Sequence, residues 1–272
     1  MKYLQNLHVH STYCDGKDTP EEMIRTALKK SFHSIGFSGH SYMEPSAEYT
    51  MTAEVTEDYR REILRLKEVY RDQIEIFLGL EADMYSEVSF SGYEYLIGSL
   101  HCLKKADGQY LAFDRSAQAV QTLIDDHFDG DGMAFAKEYF RQLAHLPEYG
   151  SFDILGHFDI HTKNIEKIPF FDTGSREYLD AAYAALEKLQ GKIPYFEVNT
   201  GAISRGYRTS PYPAENLLGP IGEMGFGAVI SSDCHDRNFL DCGYEMARQL
   251  LLNNGFRECF VLTRSGFEAV PL

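Results

Sequence analysis

Six short apolar runs along this 272-residue chain each end in a histidine or an acid. Leu4–His10 carries His8 and His10. Ser34–Ser38 runs into Gly39-His40, Ile74–Leu80 into Glu81, and Tyr95–Leu100 into His101. Phe152–Leu155 runs into Gly156-His157, and Ala228–Ile230 leads through two serines to Asp233-Cys234-His235. Amphipathic stretches separate the runs: Pro20 to about Ser31, Glu57–Arg71, Ser116–Asp126, Met133–Glu148, Gly174–Leu189, Ala214–Met224 and Tyr244–Asn253. Strands at Tyr195–Val198 and Glu258–Leu262 complete the pattern, and Glu44–Thr56 is expected to be loop. Strands alternating with helices predict an α/β fold with a mostly parallel sheet of seven or eight strands. In a closed parallel barrel the C-terminal strand ends converge on one face. Residues as distant as His8 and His235 are then expected to meet there. Imidazoles with carboxylates are a donor set for divalent metals, and chance placement would not favour strand ends so consistently.

The stretch Leu7–Gly16, LHVHSTYCDG, concentrates the signal. His8 and His10 share a face of a strand, and Asp15 follows in the turn that Asp-Gly marks. An isolated H-x-H pair is common on half-exposed strands; the later strand ends give this one its weight. His33, His127, His145 and His161 end no strand and are expected to be surface or packing residues. The five cysteines include no C-x-x-C, which predicts reduced thiols rather than disulfides or a zinc ribbon. Cys14, Cys102 and Cys234 each adjoin a candidate ligand, but neighbours on a strand point away from the site. Asp125–Gly130 spaces its acids like a calcium loop, yet Ala136 stands where an EF-hand needs glutamate. A solvated acidic turn is expected. The chain has neither a P-loop nor a G-x-S-x-G elbow.

The length suits one domain over residues 1–272. No run approaches the ~18 apolar residues of a membrane span, and MKYLQNLHVH lacks a signal-peptide core. A cytoplasmic protein away from membranes is expected. A net charge of −15 disfavours nucleic acid, whose phosphates need a basic surface. The expected partner is a small molecule; the oligomeric state is left open.

Taken together, H-x-H with Asp15, GFSGH at His40, GLEAD at Glu81, GSLH at His101, DILGH at His157 and SSDCH at Asp233 and His235 resemble the polymerase-and-histidinol-phosphatase (PHP) superfamily. The CDG after H-x-H, the long segment after His101 and Ser210–Pro213 (SPYP) are similar to its monofunctional histidinol-phosphate phosphatases. The resemblance covers essentially the whole chain. It implies a distorted (β/α)7, TIM-like barrel with the metal site at the C-terminal strand ends and up to three divalent ions (manganese, iron or zinc). It also implies a ligand partition. His8, His10, Glu81 and Asp233 would hold the first ion. Glu81 would bridge to a second held by His101 and His157. Asp15, His40 and His235 would hold a third. Many relatives have histidine at the position of Asp15.

The implied activity is hydrolysis of L-histidinol phosphate to L-histidinol and phosphate, in histidine biosynthesis. The expected route is in-line attack by a hydroxide bridging the first two metals, with the ions neutralising phosphoryl charge. Asp233 and His235 are the candidate proton donors to the leaving alkoxide, compromised if they are ligands. Arg205, in NTGAISRG, and Lys163 are expected to bind substrate phosphate, and Asp114 is a candidate for the substrate's cationic groups. The alternative is a phosphoesterase of the same scaffold acting on another small ester or nucleotide. A degenerate binding module is disfavoured by the complete ligand set, and a C–N hydrolase by Glu81 and the third cluster.

Overall fold

The computed structural model describes residues 3–272. Strands β1 (Gln5–Asn6), β2 (Ser34–Phe37), β3 (Glu75–Asp83) and β4 (Tyr95–Ser99) run parallel. An antiparallel pair, β5 (Cys102–Lys104) and β6 (Tyr110–Ala112), interrupts them. The parallel sheet resumes with β7 (Ile154–Leu155), β8 (Tyr195–Asn199) and β9 (Gly227–Ser231), seven strands in all. The ring is drawn shut between its first and last strands by a parallel bridge from Val9 to Cys234. There His10 N donates to Cys234 O, and Cys234 N to His8 O, both at 2.9 Å.

The major helices are α1 (Pro20–Lys29), α2 (Ala53–Val69), α3 (Ala117–His127), α4 (Gly132–Leu143), α5 (Arg176–Leu189), α6 (Gly201–Ser204), α7 (Glu215–Glu223) and α8 (Tyr244–Asn253). Their starts follow local chemistry. Thr19 and Glu22 form a capping box around Pro20, and Thr52, Ser116, Asp131 and Ser175 cap α2 to α5. No helix among the described residues is long and apolar enough to cross a membrane.

Strand β3 shows how the ring is filled. Ile76, Leu78, Leu80 and Ala82 pack outward in the main core, while Phe77 belongs to the inner cluster with Leu7, Tyr95, Ile97, Ile154 and Val229. Period-two alternation then lines the inner face, from bottom to top, with Phe77, Gly79, Glu81 and Asp83. Gly79 makes room for Tyr95: a Cβ there would lie 2.2 Å from the Tyr95 ring. The Tyr95 hydroxyl donates to Leu7 O at 2.5 Å. The C-terminal hairpin, β10 (Glu258–Thr263) and β11 (Gly266–Pro271), plugs the bottom through Leu262, whose backbone both donates to and accepts from the Gln5 side chain. The interior is therefore solid below and polar above, and the polar side chains gather at the strand ends.

Some boundaries differ from expectation. Ladder pairing with β2 breaks after Asn6, where Asn6 Oδ1 accepts the His8 N–H at 3.1 Å, and resumes at Val9, whose carbonyl accepts the Ser38 N–H at 3.0 Å. Helix α2 begins within the expected loop at Ala53, capped by Thr52. Helix α4 stops at Leu143, short of Pro147, which has no N–H and disfavours helix before it. No helix separates β3 from β4.

Candidate metal centre

All nine residues expected as ligands meet at the top of the ring, within four overlapping groups of donors. Glu81 is the hub. Its Oε2 lies 3.2 Å from His8 Nε2, 3.5 Å from His10 Nε2 and 2.8 Å from His40 Nδ1. Its Oε1 faces the other way, 2.9 Å from His157 Nε2 and 3.3 Å from His101 Nε2. Asp233 Oδ1 closes the first group at 3.2 Å from His10 Nε2 and 3.7 Å from His8 Nε2. Asp15 Oδ1 gathers the third, 3.2 Å from His235 Nε2 and 3.6 Å from His40 Nε2. The groups form a gradient: His8, His10 and Glu81 are fully buried, whereas the Asp15 side chain is 35% exposed. His40 touches both the deep and the outer group, a sharing the expected partition did not include.

The donors fit cations. His8 Nε2, His10 Nε2 and Glu81 Oε2 are buried without a hydrogen-bond partner, a costly state for polar atoms unless something charged satisfies them. Four ligands about 2.1 Å from a tetrahedral ion stand roughly 3.4 Å apart, and the spacings in the first group run from 3.2 to 3.7 Å. The electrostatics agree. Burial alone would lower His8 and His101, but the carboxylates of Glu197, Asp233 and Glu81 lift His8 well above the usual imidazole value, and Glu81 and Asp83 lift His101. The cluster draws in positive charge. His10, surrounded instead by burial and the His235 and His40 rings, is pushed down to about 3.

Two carboxylates that sequence reasoning missed hold these histidines from behind. Glu197 Oε2 lies 2.9 Å from His8 Nδ1 and accepts from the Ser231 hydroxyl at 2.5 Å. Its Oε1 accepts from the His157 N–H at 2.7 Å and from Asn199 Nδ2 at 2.9 Å. Asp83 Oδ2 accepts from the His101 N–H at 2.9 Å and lies 3.1 Å from its Nδ1. Such partners fix the tautomer and ring orientation of a ligating histidine. The sequence did carry a signal: an acid between Phe196 and Val198 in a buried strand, and Asp83 on the same face as Glu81.

Arg205 lies across the mouth. Its Nη2 donates to Asp233 Oδ2 at 2.8 Å, and its Nη1 lies 2.9 Å from His235 Nδ1. Gly201 makes this approach possible, since a Cβ there would stand 2.7 Å from Asp233 Cβ and 3.0 Å from Arg205 Nη2. Lys163, Asp114, Tyr49, Tyr207 and Arg115 share with the metal-facing groups a cleft of about 210 Å³. Larger surface clefts lie elsewhere and bring together none of the nine ligand candidates.

Cys102 and Cys234 point away from the cluster, as expected, with their sulfurs against Ser46 and the Asp236 carbonyl. Cys14 does not: it lies in a turn rather than a strand, and its sulfur is 3.5 Å from His10 Nδ1. Burial pushes its thiol up to about 12, so it packs behind His10 as a neutral thiol. Asp125–His127 form the last turn of α3 rather than a loop, and Asp131 caps α4.

His161 is a packing residue, buried and stacked on Tyr139 at 4.1 Å between centroids, with neither ring nitrogen hydrogen-bonded. Burial, reinforced by Arg208, holds it well below the usual imidazole value. The unfolded chain therefore takes a proton near pH 6.5 that the folded chain refuses. Stability present above that pH falls as the pH drops through it. In chelator-treated protein, melting temperature between pH 7.5 and 5.5 is expected to fall less steeply for His161→Phe than for the parent; parallel slopes would show that His161 contributes nothing to the dependence.

Comparisons with known proteins follow this geometry. The chain is 26% identical over 262 residues to histidinol-phosphatase from Bacillus subtilis, covering 88% of this chain and 96% of the relative. It is 24% identical over 260 residues to a Schizosaccharomyces pombe protein named "Probable histidinol-phosphatase", covering 85% and 79%. Its fold is shared with histidinol phosphate phosphatase from Lactococcus lactis, solved with zinc, L-histidinol and phosphate. That comparison has a TM-score of 0.70 at 16% identity and covers 97% of this chain and 98% of the other. The family model described as "PHP domain" matches residues 6–201, which include seven of the nine metal-facing residues, from His8 through His157. The barrel, the strand-end cluster and this match agree, and the chain belongs to the PHP domain family.

Proposed function

We propose that this chain is a metal-dependent phosphomonoesterase that hydrolyses L-histidinol phosphate to L-histidinol and phosphate. The observation that carries the reading is Glu81, with one oxygen turned to each of two buried histidine groups, beneath a mouth that holds Arg205 and Lys163. The names of the curated relatives and the ligands of the L. lactis structure support the substrate. In this reading residues 1–272 act as one domain, in the cytoplasm, on a small molecule and not on nucleic acid or membranes.

His8, His10, Glu81 and Asp233 would hold a first ion, Glu81 with His101 and His157 a second, and Asp15, His40 and His235 an outer one. Manganese, iron and zinc all accept this donor set. When bound there, divalent cations would supply a nucleophile for in-line hydrolysis and neutralise phosphoryl charge. The remaining work falls to the chain. Arg205 spans Asp233 and His235 and presents its guanidinium to phosphate oxygens, a match of fork to anion. Lys163 adds a second positive charge. Burial would raise the Asp233 carboxyl, but Arg205 and His8 hold it well below the usual carboxylate range, so it stays ionised and serves as ligand and anchor. His235, at the open edge, would serve an outer ion as ligand, and that use of its lone pair leaves it a poor acid for the leaving alkoxide.

The direct test is phosphate release from L-histidinol phosphate, beside other monoesters and a nucleotide diester, in protein of measured metal content. Strong selectivity for histidinol phosphate, abolished by chelation and restored by manganese or zinc, is expected. Preference for another ester would move the assignment to that substrate, and metal-independent turnover would defeat the mechanism.

A further inference from the structure

The mouth of the cleft holds an ion pair whose two members are each suited to one charge of a zwitterionic ester. Lys163 Nζ lies 2.5 Å from Asp114 Oδ1, with side chains 14% and 21% exposed. Asp114 follows β6, and Lys163 follows the turn after His157. Asn164 Nδ2 donates to Arg115 O at 2.9 Å, which ties the two main-chain segments beside the pair and leaves the side chains as the movable parts. Lys163 Nζ also lies 4.3 Å from the Tyr207 ring centroid, a second favourable contact for the ammonium if it leaves the carboxylate. Burial opposes charge on Asp114, but Lys163 and His101 outweigh it and hold its carboxyl at about 2. Asp114 is therefore a carboxylate throughout the neutral range.

We propose that Asp114 is a specificity-determining residue that selects esters bearing a cationic group beside the phosphorylated carbon. On binding, the Asp114–Lys163 pair opens: Lys163 turns to the phosphate and Asp114 takes the substrate ammonium. One ion pair is exchanged for two, and no covalent bond changes. The inference rests on the reading above, that the substrate is an amino-alcohol phosphate. An ester without the ammonium breaks the pair and leaves Asp114 uncompensated, and sites built to pair a polar group discriminate strongly against analogues that lack it.

The test compares kcat/KM for L-histidinol phosphate and for 3-(imidazol-4-yl)propyl phosphate, the same ester without its amino group, in the parent and in Asp114→Asn. The parent is expected to prefer the amino ester. In the variant the ratio is expected to narrow by about tenfold or more, the scale of one charged hydrogen bond, through KM rather than kcat. KM for the des-amino ester is expected to fall, since Lys163 is no longer held away from phosphate. A binding measurement gives an independent sign: in Lys163→Met, L-histidinol binds more tightly because Asp114 is released, and inorganic phosphate binds more weakly. If both esters lose activity together in Asp114→Asn and Lys163→Met weakens L-histidinol, Asp114 is only a support for Lys163 and the proposal fails. If the metal-replete parent hydrolyses neither ester, the substrate reading itself fails first.

Discussion

Glu81→Gln is expected to lower phosphatase turnover by roughly a thousandfold and to remove at least one bound ion per chain. Glu81 faces both deep histidine groups, with Oε2 toward His8, His10 and His40 and Oε1 toward His101 and His157. The amide keeps the size and one acceptor but puts an NH₂ against lone pairs that a ligand set must present to a cation. Loss of Lewis-acid stabilisation is worth several kcal/mol of barrier, and each 1.36 kcal/mol is tenfold in rate. The position is so buried that folding must be monitored alongside. Circular dichroism and thermal melting of chelated parent and variant supply that control, and elemental analysis supplies the metal count. Added metal should raise the melting temperature of the parent far more than that of the variant, because a ligand that binds only the folded state stabilises by mass action. A variant with full metal content and parental turnover would remove Glu81 from the centre of the mechanism.

Glu197→Gln is expected to weaken metal affinity about 10- to 100-fold, although Glu197 lies behind the donors rather than among them. Its two oxygens take four contacts: the His8 ring, the Ser231 hydroxyl, the His157 N–H and the Asn199 amide. One carboxylate thus orients the His8 ring of the first group and fixes the backbone of the His157 segment of the second. Glutamine has two donors of its own on one side and cannot accept from all four groups, so at least one buried N–H or O–H is left unsatisfied, at about 1–3 kcal/mol. Affinity is measured by competition with a chromophoric chelator, and turnover is followed as metal is raised. Partial recovery at high metal marks a positioning role. Parental metal affinity with only a lower melting temperature would mark a purely structural one.

The parts of this molecule that were legible in the sequence were those with a local signature. A run of β-forming residues closed by a histidine or acid identifies a strand and its functional end together, so His40, Glu81, His101 and His157 could be placed in the cluster before any pairing was known. Thr19, ahead of Pro20 and two acids, marks a helix start in the same local way. What escaped depended on long-range packing. Glu197 and Asp83 gain their roles only when β8 lies opposite His8 and β3 beside β4. The interruption after Asn6 depends on one side chain capturing a nearby N–H. Cys14 reaches His10 because its turn folds back on the strand, which a rule about alternating neighbours does not describe. The β5–β6 pair had a local cue in Asp107-Gly108 at its tip, and the C-terminal β11 followed from the Arg264-Ser265 turn; both were hidden inside segments read for helices or for the end of the chain.

The join between Val9 and Cys234 has a consequence for how the protein is made. The side chains on either side of that join belong to the two ends of the ring; Asn6 and Ser232, which hydrogen-bond next to it, stand 226 positions apart. During synthesis His8 and His10 emerge first and must wait for nearly the whole chain before Asp233 appears. Until then the H-x-H pair stands without the carboxylate that lies 3.2 Å from His10 Nε2 in the finished fold. Closing the last strand finishes the barrel and first brings Asp233 and His235 to the histidines of the earlier strands, so the donor cluster and the fold are completed in the same step.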